Sequence, residues 1–72
     1  MGGISKGMRT EHFTGTVSKD LQVDSQLGLH HAIGLIVPAN KRRRVLGYRL
    51  AGVATISGDN LKKEVTIAVT YR

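Results

Sequence analysis

Four consecutive cations, Lys41 to Arg44, are the densest group of side chains in this sequence that could bind a ligand. They follow an apolar run that ends at Pro38, and no aspartate or glutamate occurs between residues 25 and 58. Adjacent positive charges without nearby carboxylates produce a localised positive field, which attracts polyanions and acidic surfaces. The pattern predicts phosphate contacts, to which Arg49 in the same acid-free stretch also contributes.

Residue types that catalyse reactions or ligate metals are few and poorly spaced. His12, His30 and His31 lack the spacing of a metal site, and adjacent histidines on a strand would point to opposite faces. The chain has no cysteine, which excludes a disulfide framework and a cysteine-based zinc site. There is no phosphate-binding glycine loop, no paired carboxylate in apolar surroundings and no nucleophile beside a base. We therefore expect no enzymatic activity, no metal and no cofactor.

Length and composition predict a single small, basic domain. The chain has 72 residues, and 11 Lys and Arg against five Asp and Glu give a formal net charge of +6. No apolar run approaches the roughly 20 residues that span a bilayer, and the first residues lack the apolar region of a signal peptide. We expect a soluble protein without a membrane partner, cytoplasmic or virion-associated.

The C-terminal third predicts a β-hairpin whose turn is centred on Gly58 and Asp59. In that register the apolar and polar positions of both strands alternate in phase, and a slip of one residue would exchange the two faces. The apolar pairs are Ile56 with Leu61, Leu50 with Ile67, Tyr48 with Val69 and Leu46 with Tyr71, and the other face pairs Thr55 with Lys62, Val53 with Glu64, Ala51 with Thr66 and Arg49 with Ala68.

An earlier hairpin is predicted by a four-residue loop from Pro38 to Lys41. Residues 24–37 also fit a helix capped by Asp24 or Ser25, although two glycines would each cost about 1 kcal/mol there and β-branched residues favour a strand. Both structures stay open, and the strand is the one we use. The hairpin pairs are Leu29 with Leu50, His31 with Tyr48, Ile33 with Leu46, Leu35 with Arg44 and Val37 with Arg42, which place the cations at the tip and outer flank.

These segments together predict an all-β fold. With a further strand at residues 11–18, they form a small antiparallel meander of about four strands in two consecutive long hairpins. Residues 1–10 are expected to be a flexible N-terminal arm, and residues 11–72 a single small β domain. Because the sheet is apolar on one face only, we expect it to close as a small barrel or sandwich through homo-oligomerisation.

The predicted function is nucleic-acid binding, to RNA or DNA, mainly through phosphate contacts from the basic hairpin tip and flank. The alternative is a structural subunit of a homo-oligomeric, viral or phage assembly without catalytic activity, in which the same tip docks on an acidic protein surface. The predicted binding residues are Lys41, Arg42, Arg43, Arg44, Arg49 and Lys62.

Short segments resemble three known families. "FTGTVSKD" and "HHAIGLIVP" are similar to the opening and closing motifs of Sm-like RNA-binding barrels, without the strands between them. Residues 41–72 resemble the central hairpin of single-stranded RNA phage coat proteins, whose sheet binds an RNA stem-loop. The same residues are similar to the C-terminal hairpin of dodecins, which are flavin-storing dodecamers, although the chain lacks tryptophan and no amphipathic helix is identified. Each resemblance covers half of the chain or less, and no family assignment follows.

Overall fold

The computed structural model describes residues 8–72, which form one antiparallel sheet and one helix of three turns. The elements are β1 (Arg9–Ser18), α1 (Gln26–Ile36), a short 3₁₀ helix (Ala39–Lys41), β2 (Val45–Thr55) and β3 (Lys62–Tyr71). The strand order is β1-β3-β2, so the last strand lies between the other two. The mostly β architecture is confirmed. The predicted arm at residues 1–10 lies largely outside the described residues, and Arg9 and Thr10 belong to β1.

The C-terminal hairpin is present, and the middle of its predicted register is confirmed. β2 and β3 are antiparallel neighbours, and their alternation keeps one face apolar. The confirmed pairs are Tyr48 with Val69, Arg49 with Ala68 and Leu50 with Ile67.

Register shifts on both sides of this segment correct the outer pairs. They fall between Val45 and Gly47 and between Leu50 and Gly52, where β2 carries an extra residue relative to β3. The observed pairs are Val45 with Tyr71, Gly52 with Thr66, Val53 with Val65, Ala54 with Glu64 and Thr55 with Lys63, in place of Leu46 with Tyr71, Ala51 with Thr66, Val53 with Glu64 and Thr55 with Lys62.

Residues 26–36 form a helix, which corrects the predicted earlier hairpin and all of its pairs. Ser25 is the N-cap: its backbone is extended, and its Oγ accepts a hydrogen bond from the Gly28 N–H at 3.0 Å. Gly28 is unfavourable in a helix by propensity but is required at this position, since an added Cβ would clash with the carbonyl oxygen of Gln22. The helix ends at Ile36, and its C-cap Val37 is extended, because the residue that precedes a proline disfavours the helical conformation.

Burial explains why the helix is preferred over a strand here. Ala32, Ile33 and Val37 are at most 8% exposed and belong to one core cluster with the inward side chains of β3. Burying Ile33 and Val37 contributes about 1.5–3 kcal/mol for each side chain, which exceeds the helix cost of about 1 kcal/mol for a glycine. The remaining members of the cluster are Val17, Val23, Val65, Ile67, Val69 and Tyr71.

The helix covers the apolar face of the sheet within the same chain. An added Cβ on Gly15 of β1 would lie 2.9 Å from Cγ1 of Ile36, so the helix end sits directly on the strand. The described sheet has three strands and two free edges, β1 and β2, and the predicted four-strand meander and closed barrel are not confirmed. No helix within residues 8–72 is long and apolar enough to cross a membrane.

Candidate anion-binding concavity

A concavity of about 650 Å³ lies at the end of the sheet where β1 and β2 begin and β3 ends. We call it the basic concavity. Among its lining residues are five cations and no carboxylate, so the lining carries a net positive charge. The lining residues are Met8, Arg9, Asn40, Lys41, Arg43, Arg44, Tyr71 and Arg72.

Strand pairing brings the two terminal arginines of the described chain together. Arg9 faces Tyr71 across the β1–β3 ladder, and its guanidinium carbon lies 5.0 Å from the centre of the tyrosine ring. This distance is within the range of a cation–π contact, which fixes the arginine over the ring. Arg72 follows directly in sequence and donates its backbone N–H to the Arg44 carbonyl at 3.4 Å.

The segment between α1 and β2 carries the remaining cations into the same place. Its 3₁₀ turn begins after Pro38, where the Lys41 N–H donates to the Pro38 carbonyl at 2.9 Å. The Tyr71 hydroxyl donates to the Lys41 carbonyl at 2.7 Å, which ties this segment to the end of β3. Lys41 is therefore tied to a buried tyrosine of the central strand, and Arg44 is tied to Arg72 through the backbone.

Arg44 has an unusual backbone conformation, with a φ of 58°. This is the left-handed region, which costs an L-residue about 1–2 kcal/mol and is ordinarily occupied by glycine. In the part of the chain that the structure describes, no other residue with a side chain has a positive φ. The position therefore keeps an arginine where the backbone alone would favour glycine.

One carboxylate lies close to the concavity and pairs with one of its cations. Oε1 of Glu11 is 3.7 Å from Nζ of Lys41, and both side chains are about two-fifths exposed (37% and 42%). The same oxygen accepts no hydrogen bond from residues 8–72, although it is itself shielded from solvent. An ion pair this exposed contributes little to stability, so its main effect is to lower the positive field on one side.

The charge of Glu11 also acts on Tyr71. Burial raises the pKa of the Tyr71 hydroxyl above its ordinary value of 10.0, and the negative charge of Glu11 raises it further, against a smaller opposing effect of Arg9. The raised pKa extends to higher pH the range in which the hydroxyl is protonated and donates to the Lys41 carbonyl.

Four of the six predicted binding residues lie in the turn before β2, and the other two lie elsewhere on the sheet. Lys41, Arg43 and Arg44 line the basic concavity, and Arg42 is exposed in the same turn without lining it. Arg49 lies elsewhere, on the uncovered face of the sheet beside Ala68 and His12. Lys62 begins β3 and is therefore at the opposite end of the sheet.

Sequence reasoning missed Arg9, Arg72 and the role of Tyr71. Arg72 could have been found, because a β2–β3 hairpin places the end of β3 beside the start of β2. No such signal existed for Arg9, since its position depends on the pairing of β1 with β3, and its partner Tyr71 is 62 residues away in the chain. Among residues 8–72, no three His, Cys, Asp or Glu side chains are grouped closely enough to hold a metal ion.

Comparison with protein families, with curated proteins and with solved structures gives no match for this chain. Of the three families that short segments resemble, dodecins have a helix beside their hairpin, and residues 26–36 do form a helix. The tryptophan that stacks on flavin in that family has no counterpart, because the chain contains none. The function is therefore argued from the basic concavity itself.

Proposed function

We propose that this protein binds nucleic acid through phosphate contacts in the basic concavity. The observation that carries the proposal is the convergence of five cations, from the start of β1, the end of β3 and the loop before β2, on one concave surface. The cations are Arg9, Lys41, Arg43, Arg44 and Arg72.

Convergence matters because a single run of cations on one strand would point alternately to two faces. Here the turn before β2 and the ends of β1 and β3 direct their charges to a common space, where each can neutralise a different phosphate. The arginines favour phosphate in particular, since a guanidinium donates two parallel hydrogen bonds to a pair of its oxygens.

The proposed contact is independent of base sequence. Aromatic side chains that could stack on bases are scarce, and the ring of Tyr71 is already covered by Arg9. Phosphate contacts position a nucleic acid without selecting its sequence. We therefore expect similar affinities for oligonucleotides of different sequence and a strong dependence on salt.

The conformation of Arg44 supports the same function. An arginine kept at a left-handed backbone position, at a cost of about 1–2 kcal/mol, indicates a role that glycine could not perform. The role that its surroundings offer is to hold a guanidinium at the concavity.

The test compares two triple variants with the same change of net charge. Arg43→Ser, Arg44→Ser and Arg72→Ser remove three cations from the concavity, whereas Lys19→Ser, Arg49→Ser and Lys62→Ser remove three exposed cations elsewhere. Affinity is measured by titration with a mixed oligonucleotide pool at several salt concentrations. For five phosphates, log K of the parent should fall against log salt with a slope of about −3.5 on single strands and −4.5 on duplex.

We expect the concavity variant to lose about 2 to 3 units of this slope, and the control variant to lose less than 1 unit. Equal losses in the two variants would show that net charge alone attracts the nucleic acid. A parent that does not bind, or whose binding ignores salt, would refute the proposal. If the concavity variant instead loses assembly, the alternative of a structural subunit docking on an acidic neighbour takes its place.

A further inference from the structure

The outward face of helix α1 has no formal charge. The 11 residues from Gln26 to Ile36 include no Asp, Glu, Lys or Arg, with histidine counted as neutral. Two leucines on this face are far from buried: Leu27 is 84% exposed and Leu35 is 62% exposed. His31 lies between them at helical spacing and is also exposed, so we call Leu27, His31 and Leu35 the outer stripe.

A solvent-facing helix ordinarily carries charged side chains opposite its buried stripe, and a helix that is apolar on both sides is usually covered on both. The inner side of α1 is covered by the sheet, through Ala32 and Ile33. The outer stripe is covered by nothing within residues 8–72.

Gly34, also on the exposed side, leaves the helix backbone bare next to the outer stripe. Glycine is unfavourable in a helix interior, and Gly28 is explained by its contact with Gln22. At Gly34, in contrast, an added Cβ would meet no described atom within 4 Å. The bare backbone at Gly34 therefore leaves room for a second chain to lie close to the helix beside the outer stripe.

Charge selects the kind of partner. The rest of the described surface carries the cations of a chain with net charge +6, so two copies would repel each other least at this uncharged face. A nucleic acid would find no cation on α1, and a membrane-surface helix would carry Lys or Arg on its polar side, which α1 lacks. The face therefore fits a second copy of this chain.

The spacing of the outer stripe determines how the copies would meet. Leu27 and Leu35 lie four residues before and after His31, so a two-fold axis through His31 places each leucine against the other leucine of the second copy. We propose that the protein forms a two-fold dimer through an antiparallel pair of α1 helices, centred on His31. This interface is independent of the basic concavity and leaves it open in both copies.

The first test is the solution mass at micromolar concentration. The parent should have twice the chain mass of 7.8 kDa. The double variant Leu27→Glu, Leu35→Glu should be monomeric, with a dissociation constant at least about 100-fold higher, because it sets like charges against each other. The control is Leu61→Glu, which changes a leucine that is 76% exposed in the β2–β3 turn and should leave the dimer unchanged. A monomeric parent, or dissociation by the control alone, overturns the proposal.

A charge exchange tests the antiparallel orientation. In a chain with Leu27→Lys and Leu35→Glu, an antiparallel pair brings opposite charges together at both ends of the stripe, whereas a parallel pair brings like charges together. We expect this variant to dimerise at least about tenfold more tightly than the variant with two glutamates. If both variants are monomeric while retaining the parent's circular dichroism, the antiparallel arrangement is wrong.

Discussion

The two turns that flank β2 differ in how well their residues suit their backbones. The turn after β2 has Gly58 in the left-handed region, with a φ of 81°. Asp59 donates its N–H to the Ile56 carbonyl, and its Oδ1 accepts from the N–H groups of Leu61 at 2.8 Å and Lys62 at 3.1 Å. The left-handed position of this turn is therefore occupied by a glycine, and the next position by an aspartate that accepts hydrogen bonds from the backbone.

The turn before β2 places an arginine in the same backbone region. Arg44 has a φ of 58°, and its carbonyl accepts from the Arg72 N–H at the relatively long distance of 3.4 Å. Within residues 8–72, no side chain donates to or accepts from the backbone of residues 42–44. The turn after β2 has the residues that its backbone conformations favour. The turn that lines the basic concavity does not, and such departures are common at functional sites.

The largest effect is expected in the strand that both turns depend on. Ile67 is fully buried opposite Phe13 and Leu50, so Ile67→Asp should abolish folding, because an unpaired buried carboxylate costs several kcal/mol. Thermal unfolding followed by circular dichroism would show it. The control is Thr66→Asp on the uncovered face, which should stay folded. An Ile67→Asp protein that melts within a few degrees of the parent would contradict the β2–β3 register.

At the turn after β2, Asp59→Ala should destabilise the protein by about 2 kcal/mol. Two backbone N–H groups lose their acceptor, at about 1 kcal/mol each. Chemical denaturation measures the loss. Asp59→Asn keeps an acceptor oxygen and should lose less than half as much, so equal losses would show that the hydrogen bonds are not the cause.

At the turn before β2, Arg44→Gly should stabilise the protein by about 1–2 kcal/mol, less the greater entropy of the unfolded glycine. The same change should weaken nucleic-acid binding. Arg42→Gly is the control: its φ of −97° suits any residue, so glycine there should stabilise nothing. If the Arg44→Gly protein is less stable than the parent, the backbone of Arg44 is not strained, and the two turns do not differ in this respect.

The smallest effect concerns the tie between that turn and β3. Tyr71→Phe removes the hydrogen bond to the Lys41 carbonyl and should lower the melting temperature at pH 8 by a few degrees. The raised pKa of Tyr71 means that its stabilising contribution is complete below pH 10.0 and is lost as the pH rises through the folded-state value. The difference between parent and variant should therefore shrink at high pH. A difference that grows with pH would contradict the direction of the shift.

The register at the centre of the C-terminal hairpin could be predicted because it depends on residues that are neighbours along each strand. Tyr48, Leu50, Ile67 and Val69 alternate with small or polar residues, and the period of two is a property of the strand itself. This alternation does not predict the register shifts near Leu46 and Ala51, because the position of a bulge depends on the twist of the sheet and on its packing.

Helix α1 shows a choice that local sequence left open. Ser25 is a possible cap from sequence, yet Gly28, Gly34 and the β-branched residues favour a strand. The apolar face of the β1–β3–β2 sheet decided the matter, since the energy of burying Ala32 and Ile33 is available only after the sheet has formed.

The sequence by itself determined the cationic run, the absence of cysteine and tryptophan, and the register at the centre of the C-terminal hairpin. Those features depend on composition and on neighbours along the chain. Only the tertiary structure decided which cations share a surface: it joined Arg9 and Arg72 to Lys41, Arg43 and Arg44, and it separated Arg49 and Lys62 from them. The physical reason is that charges converge through the pairing of strands distant in sequence, and that pairing is fixed by the burial of β3 rather than by the charges themselves.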